Sequence, residues 1–422
     1  MELTELGSIL HMEKGKKPLA QSKEPADGYL PYVDIKAFEQ GIIDNYATTD
    51  KSLLCDDGDL LIVCDGSRSG LTGIAIKGVV GSTLSKIYAD GLTTEYLRYF
   101  IQSKYLLLNT QKKGTGTPHL NANILKASKL VVPSIPEQQR IVSRIEELFS
   151  SLDNAVETLQ KTKEQLKVYR QAVLKEAFEG KLTNEWRKAH IDISPKNDYE
   201  TIAIENPIYK DTSGDENEIR LQLPEPWIKM RIGDVFHVEV GSTPSRRVSE
   251  YWNGDVNWVS SGEVHFNRIF YTAEQITEEG LAHASTNVHP VGTVMLAMIG
   301  EGKTRGQAAI LEIPAAHNQN TAAILVSLTP CSPKYIYYFL QMNYENTRRV
   351  GSGNNQKALN KERVRALRFP FTSFAEQNKI VEEIELRFSV CDNIEHTADF
   401  ALTQAEAMRQ SILKEAFEGR LA

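Results

Sequence analysis

Leu174-Lys175-Glu176-Ala177-Phe178-Glu179-Gly180-Lys181-Leu182 returns near the C-terminus as Leu413-Lys414-Glu415-Ala416-Phe417-Glu418-Gly419-Arg420-Leu421. The offset of 239 residues holds without a gap upstream, pairing Glu137 with Glu376, Gln138 with Gln377, Ile145 with Ile384, Phe149 with Phe388, Asp153 with Asp392 and Arg170 with Arg409. It also pairs Tyr96 with Tyr335, Tyr99 with Tyr338 and Phe100 with Phe339. At the front of each copy an offset of 226 pairs Gly7 with Gly233, Glu13 with Glu239, Gly15 with Gly241 and Pro18 with Pro244. One module is therefore written twice, roughly over 1–182 and 227–421. A period this long means two tandem domains, because solenoid repeats run about 20–50 residues. A chain built this way is expected to carry a pseudo-twofold axis, like a homodimer whose halves were fused.

The 422 residues are 41% hydrophobic and 24% charged, ordinary for a globular protein, and long enough for each copy to bury its own core. Met1-Glu2-Leu3-Thr4-Glu5 offers no basic or apolar leader, and no apolar run approaches ~18 residues, so no membrane span is expected and a cytoplasmic location is. Cys55, Cys64, Cys331 and Cys391 form no C-x-x-C pair and do not match between copies, which predicts buried free thiols. The nine histidines form no metal-ligand spacing, so no metal site is expected. The net charge of −7 is unevenly placed. Residues 191–223 hold 8 acidic and 3 basic side chains and residues 375–422 hold 10 and 5, while residues 1–135 balance at 15 of each. The globular stretches carry no acidic excess, and attraction to phosphate depends on local patches rather than on whole-chain charge.

Within each copy a mixed α/β stretch precedes a long helix. Asp59–Val63 and Thr293–Ala297 are short apolar runs beside glycines and predict strands. Thr94–Tyr105 and Pro333–Tyr344 space aromatics at i, i+3 and i+4, which predicts helices whose aromatic stripes face a core. The long helices are expected to open on capping boxes, Ser134-x-x-Glu137 and Ser373-x-x-Glu376, and to stop at Gly180 and Gly419. About 45 residues of helix span ~67 Å at 1.5 Å per residue. Heptads place Ile141, Leu148, Ala155, Thr162 and Tyr169 at a in the first helix, with Ile145, Leu152, Leu159, Leu166 and Val173 at d. The second has Ile380, Arg387, Ile394, Ala401 and Met408 at a, with Ile384, Cys391, Ala398, Ala405 and Ile412 at d. Apolar d positions over five heptads predict a coiled coil, and an antiparallel pairing of the two helices would place the globular domains at opposite ends. The expected divisions are 1–135 globular, 136–182 helix, 183–223 acidic connector, 224–374 globular and 375–422 helix.

Two motifs suggest enzymes. Ala297-Met298-Ile299-Gly300-Glu301-Gly302-Lys303-Thr304 ends like a phosphate-binding loop but opens with Ala instead of Gly, and the matching slot of the other copy is Asp65-Gly66-Ser67-Arg68-Ser69-Gly70. Asn206-Pro207-Ile208-Tyr209 resembles the Asn-Pro-Pro-Tyr loop of amino-methyltransferases but lacks the second proline. A P-loop nucleotide-binding protein or a self-contained DNA methyltransferase is the alternative reading, and a coiled-coil scaffold without a DNA role is a third. No catalytic constellation repeats in the two copies. What differs between them is the loops, which are rich in Arg, Lys, Asn and Gln. Lys16, Lys17, Ser67, Arg68, Lys112, Lys113 and His119 belong to the first copy; Ser242, Thr243, Arg246, Arg247, Lys303, Arg305, Arg348, Arg349, Asn354, Asn355, Gln356 and Lys357 to the second. Arg, Asn and Gln can read purine edges in the major groove, and Lys holds phosphates.

The chain resembles the specificity subunit of a type I restriction–modification enzyme. The residues that carry the likeness are Pro136-Glu137-Gln138-Gln139-Arg140-Ile141, the paired helix endings, Thr183-Asn184-Glu185-Trp186-Arg187, Gly241-Ser242-Thr243-Pro244 and Trp258-Val259-Ser260-Ser261-Gly262. The resemblance implies a non-catalytic, DNA-binding protein with two α/β (α+β) target-recognition domains, each reading one half of a split asymmetric double-stranded site. The helices would space the halves and dock two methylation subunits. S-adenosylmethionine, ATP and Mg would belong to those partners and to motor–nuclease subunits, with no cofactor in this chain. Departures are Gly15-Lys16-Lys17-Pro18, with Lys17 where Thr243 stands, and the absence of a Trp186-Arg187 equivalent after Leu421.

Overall fold

A computed structural model describes residues 3–112, 118–202, 222–300, 302–349 and 359–421. Asn206–Tyr209, Lys113, Asn354, Asn355, Gln356 and Lys357 lie outside these residues, as does the side chain of Arg349. The chain forms two compact units, residues 1–162 with 397–422, and residues 163–396. Each contains one globular domain, the start of the long helix that follows it, and the end of the other long helix.

The long helices are Ile135–Phe178 and Phe374–Phe417, 44 residues each. Both end the same way. Gly180 and Gly419 take φ of +70° and +75°, a left-handed conformation that costs glycine little. The next residue then reaches back, Lys181 N–H to Glu176 C=O and Arg420 N–H to Glu415 C=O, each at 2.9 Å. This satisfies carbonyls that the last helical turn would leave unpaired. The expected capping boxes do not close. The Ser373 hydroxyl accepts from the Glu376 N–H at 3.2 Å, but Glu376 turns inward, and Glu137 pairs with Arg140 at 2.8 Å instead of returning to Ser134.

Glu376 is buried and takes four partners: Thr183 Oγ1 at 2.7 Å, Arg187 Nε at 2.9 Å, Trp227 Nε1 at 2.9 Å and Thr372 Oγ1 at 2.6 Å. A carboxylate removed from water must be paired and hydrogen-bonded, and this one is. The neighbouring glutamines explain the repeated Glu-Gln. Gln138 accepts from the Thr93 N–H at 2.8 Å and donates to Gly91 and Pro133 carbonyls. Gln377 accepts from the Ser332 N–H at 3.1 Å and donates to the Thr372 carbonyl. Each fully buried amide thus fastens the start of a long helix to its own globular domain.

The other end of each unit is closed by the opposite copy's helix. Phe417 packs edge-on against Tyr96 and Phe100, and Phe178 packs against Tyr335 and Phe339, ring centroids 5.1–5.6 Å apart. These are the aromatic stripes of the helices Thr94–Ser103 and Pro333–Met342, which are core. In the first unit Val142 and Ile145 share a core with Leu413 and Ala416, and further along the first helix Asp153 pairs with Arg409, so the segments run antiparallel. In the second, Val173 and Phe178 share a core with Ile380 and Ile384, while Arg170 meets Asp392.

The d positions form the seam. Ile145, Leu166, Val173, Ile384, Cys391, Ala398 and Ala405 are buried, the small ones allowing close backbone approach. The a row does not follow as expected: Ala155, Tyr169, Ile394 and Met408 are exposed. A single pair of helices encloses only a narrow stripe, and the flank is closed by Arg170 over Phe388 and Arg409 over Phe149.

In the first globular domain a four-stranded antiparallel sheet runs Leu10–Lys14, Leu84–Ala89, Leu60–Val63, Thr72–Ile74, beside a five-stranded sheet. In the second, a five-stranded sheet runs Val238–Val240, Thr321–Ile324, Val294–Ala297, Ala308–Leu311, Asn267–Ile269, beside a three-stranded one. The unbroken apolar runs have one cause. Leu60 and Ile62 face the aromatic helix while Leu61 and Val63 face a second core, and Val294 and Leu296 are likewise opposed to Met295 and Ala297. A strand between two cores needs apolar side chains on both faces. All four cysteines are free and buried.

Candidate nucleic-acid interface

In the second domain three loops converge on one turn. Gly241 lies so close to the backbone of His317 that a Cβ there would sit 1.9 Å from the carbonyl oxygen, so only glycine fits. That carbonyl accepts from the Ser242 N–H at 3.0 Å, and Ser242 C=O accepts from Trp258 Nε1 at 3.1 Å. The Asn318 N–H donates to Val259 C=O, and Met298 N–H donates to Asn320 C=O. Residues Gly241 and Ser242, Val259 and Met298, each at the start of a loop, are thereby tied to the turn His317–Thr321.

The Gly302-Lys303-Thr304 loop joins strand Val294–Ala297 to its antiparallel neighbour Ala308–Leu311. A phosphate-binding loop instead opens a helix whose N-terminal amides hold the anion. A hairpin loop lacks that helix, which removes the structural basis for a Walker-type site. The loop is braced from helix Tyr344–Arg349: Arg348 Nη2 donates to Gly302 C=O at 2.6 Å, Arg305 Nη2 donates to Arg348 C=O at 2.9 Å, and the Tyr344 hydroxyl donates to Lys303 C=O. Arg305 and Arg348 thus each brace the loop through one guanidinium nitrogen. The Lys303 side chain is exposed.

The remaining sequence-derived residues divide the same way. Arg246 is exposed but engaged, bidentate to Glu274, with Nη2–Oε2 at 2.8 Å, and its guanidinium lies 3.7 Å from the Trp252 ring centroid. The Arg246 hydrogen bonds hold the Glu274 carboxyl below its ordinary range. Arg247 and Ser245 are exposed beside it. Thr243 donates to Gln319 Oε1 at 2.6 Å.

In the first domain Asp65 accepts from Lys14 Nζ at 2.7 Å and pairs with His119 Nδ1 at 2.7 Å. Burial raises the Asp65 pKa, but the Lys14 and His119 hydrogen bonds together outweigh it and hold the carboxyl below its usual value. A cavity of about 350 Å³ opens at this cluster. Lys112 Nζ caps Ser67 C=O at 2.7 Å, and Arg68 pairs with Glu39. Lys16 and Lys17 are exposed after the strand Leu10–Lys14. Sequence reading missed Asp65, Glu274 and Gln319, each of which lies 28 or more residues from the partner that places it.

The described residues contain no group of three or more His, Cys, Asp or Glu side chains suited to a metal ion. No helix among them is long and apolar enough to cross a membrane.

Comparison with known proteins bears on the whole chain. The family described as Type I restriction modification DNA specificity domain matches residues 1–168 and 224–398, the two copies in turn. The Type I restriction enzyme MjaVIII specificity subunit of Methanocaldococcus jannaschii is 23% identical over 430 residues, covering 100% of this chain and 92% of its own. The EcoBI specificity subunit of Escherichia coli is 23% identical over 380 residues, covering 86% and 73%. Among solved structures, a chain from work on complex assembly and conformational transition of the type I R-M system aligns over 99% of this chain and 98% of its own, with a TM-score of 0.70 at 16% identity. The HsdS subunit from Thermoanaerobacter tengcongensis aligns over 99% and 97% with a TM-score of 0.55 at 17% identity. The fold is thus shared across the full length, and with both copies matched the chain belongs to the type I restriction–modification specificity-subunit family, the non-catalytic DNA-recognition components of those complexes.

Proposed function

We propose that each globular domain reads one half of a bipartite, asymmetric double-stranded DNA site, and that the long helices set the gap between the halves. The observation that carries this reading is the contrast between scaffold and loops. Scaffold hydrogen bonds repeat position for position in the two copies, as Gln138/Gln377 and Tyr96/Tyr335 show. The exposed loops do not: Lys16-Lys17 against Ser242-Thr243, and Ser67-Arg68 against Lys303. A shared frame with two different polar faces suits two different half-sites. Lys16, Lys17, Arg247 and Lys303 are assigned to phosphate contact, and Ser242, Thr243 and their neighbours to the groove.

Docking of two methylation subunits on the helices is supported by exposed apolar side chains. Leu386, Val390 and Ile394, at successive i+4 spacing, are 62%, 54% and 42% exposed, more than a solvated helix face normally carries. Those subunits would supply S-adenosylmethionine chemistry, flipping an adenine from the duplex, and motor–nuclease subunits would supply ATP use with Mg. This chain needs no cofactor for recognition, and the reading places it in the cytoplasm with chromosomal DNA.

Exchange of residues 224–374 for the same region of a relative tests the modular reading. Adenine methylation mapped genome-wide should show one half of the motif replaced and the other kept. If both halves change together, the domains are not independent readers.

A further inference from the structure

We propose that Gln319 is a base-reading residue of the second domain, held for that task by Thr243. The inference rests on the DNA-reading function proposed above and names a specificity determinant within it.

Gln319 sits at the apex of the turn His317–Thr321, where its side chain is exposed while those of its flanking residues His317, Asn318 and Thr321 are buried. The turn is unusually well braced. The Thr321 hydroxyl donates to Asn318 C=O at 3.0 Å, Asn320 N–H donates to Asn318 Oδ1 at 3.0 Å, and Asn318 N–H is bound to Val259. Beneath it lies a buried polar chain: His317 Nδ1 contacts Thr321 Oγ1 at 2.7 Å, and His317 Nε2 contacts His289 Nε2 at 3.1 Å. With the Thr321 proton given to Asn318, Thr321 Oγ1 accepts from His317 Nδ1–H, and His317 Nε2 accepts from His289 Nε2–H. Both ring nitrogens of His317 are thus satisfied, and a shift of the turn would orphan one of them.

On this support the Gln319 amide is oriented by a single contact, the Thr243 hydroxyl donating to Oε1 at 2.6 Å. Its carbonyl is thus occupied, and among the described residues its NH2 has no hydrogen-bond partner. An exposed amide donor on a rigid turn, at the junction of three loops, meets the requirement for direct readout: a side chain whose direction is fixed before the base arrives. The donor suits an acceptor on a major-groove edge, such as a purine N7.

The first copy shows that this is a place where the frame is kept and the reader changed. There the Thr83 carbonyl accepts from Cys64 N–H as the Asn320 carbonyl accepts from Met298 N–H. The turn itself, Gly81-Ser82-Thr83 between the strands Gly78–Val80 and Leu84–Ala89, is as long as Asn318-Gln319-Asn320 and has Ser82 where Gln319 stands.

The test is genome-wide mapping of methylated adenines in cells carrying the full-length gene, its deletion, or the variants Gln319→Ala, Gln319→Arg and Thr243→Val, with motor–nuclease genes removed. Gln319→Ala should keep the motif but lose preference at one position of one half-site by roughly five- to hundred-fold. Gln319→Arg should move that position toward guanine, and Thr243→Val should relax the same position by less. An unchanged motif in Gln319→Ala and Gln319→Arg would overturn the assignment while leaving bipartite reading intact. Loss of all methylation by a Gln319→Ala chain that keeps the wild-type urea midpoint would also overturn it, since the residue would then serve binding without base preference. A wild-type gene that confers no motif removes the underlying reading and the assignment together.

Discussion

Arg170 donates to Asp392 across the helix pair of the second unit at 2.6 Å, and the residues at the same repeat positions, Arg409 and Asp153, make the corresponding pair in the first. Each guanidinium also covers an equivalent ring, Arg170 over Phe388 at 5.1 Å and Arg409 over Phe149 at 4.8 Å. The repeat written in the sequence is thus reproduced at the level of single contacts within each unit. Two sides of one arginine are used, the charge by a carboxylate and the face by an aromatic, which lysine could not reproduce.

Replacing Arg170 by Ala should lower stability by about 1–2 kcal/mol, combining a charge-assisted hydrogen bond with a cation–π contact on a largely covered side chain. Arg170→Lys should recover less than half of that. Urea denaturation of Arg170→Ala, Asp392→Ala and the double variant gives the coupling directly. A coupling energy near zero would show that the pair is a surface contact without consequence.

Stability should fall in acid because of the buried histidine pair. Burial first, and then His289, push the His317 pKa down to about 3, and burial lowers that of His289. The unfolded imidazole, near 6.5, binds a proton that the folded one refuses. Stability is therefore level above pH ~6.5 and declines as pH falls from there toward ~3, with about 2 kcal/mol lost by pH 5 to His317 alone. His317→Gln should flatten this part of the curve. Unfolding midpoints measured from pH 7.5 to 4.5 decide it, and equal slopes for the two proteins would refute the assignment.

Lys303→Ala should weaken duplex binding by the assembled complex and reduce the log–log salt slope by about one. ATP should show no binding to the isolated chain, because the loop is a hairpin. Isothermal titration revealing ATP affinity that Lys303→Ala abolishes would reverse this conclusion.

A seven-residue heptad inserted in both helices, after Leu159 and after Ala398, keeps the seam in register and adds ~10 Å. At ~3.4 Å per base pair the preferred gap should lengthen by about three base pairs, with both half-site sequences unchanged. Insertion in one helix alone should mainly destabilise the pair. Methylation of a plasmid library with varied gaps reads the result; a preferred gap that stays constant in a stable double-insertion protein removes the helices as the ruler.

The repeat was legible as self-similarity along the chain, and the helix stops and the apolar strands because each is a local signal. Gly180 and Gly419 stop helices through their own backbone freedom, and Leu60-Leu61-Ile62-Val63 marks a strand by its apolar run, while only the structure shows that its two faces meet two cores. Family membership followed from the same local signals. The sequence did not disclose which polar side chains are spent inside. Glu376 looked like a helix cap and is instead a buried hub for Thr183, Arg187, Trp227 and Thr372, three of them 149 or more residues away. Arg246, Arg305 and Arg348 stand in the sequence only as loop arginines, and the contacts that hold them, with Glu274 and with loop carbonyls, appear only in the fold. Gln319 drew no notice in the sequence, and only the closure of the Thr243 loop onto the His317 turn orients it. Periodicity reports how a segment meets a core, but a hydrogen bond between distant loops exists only once the sheets have set those loops side by side.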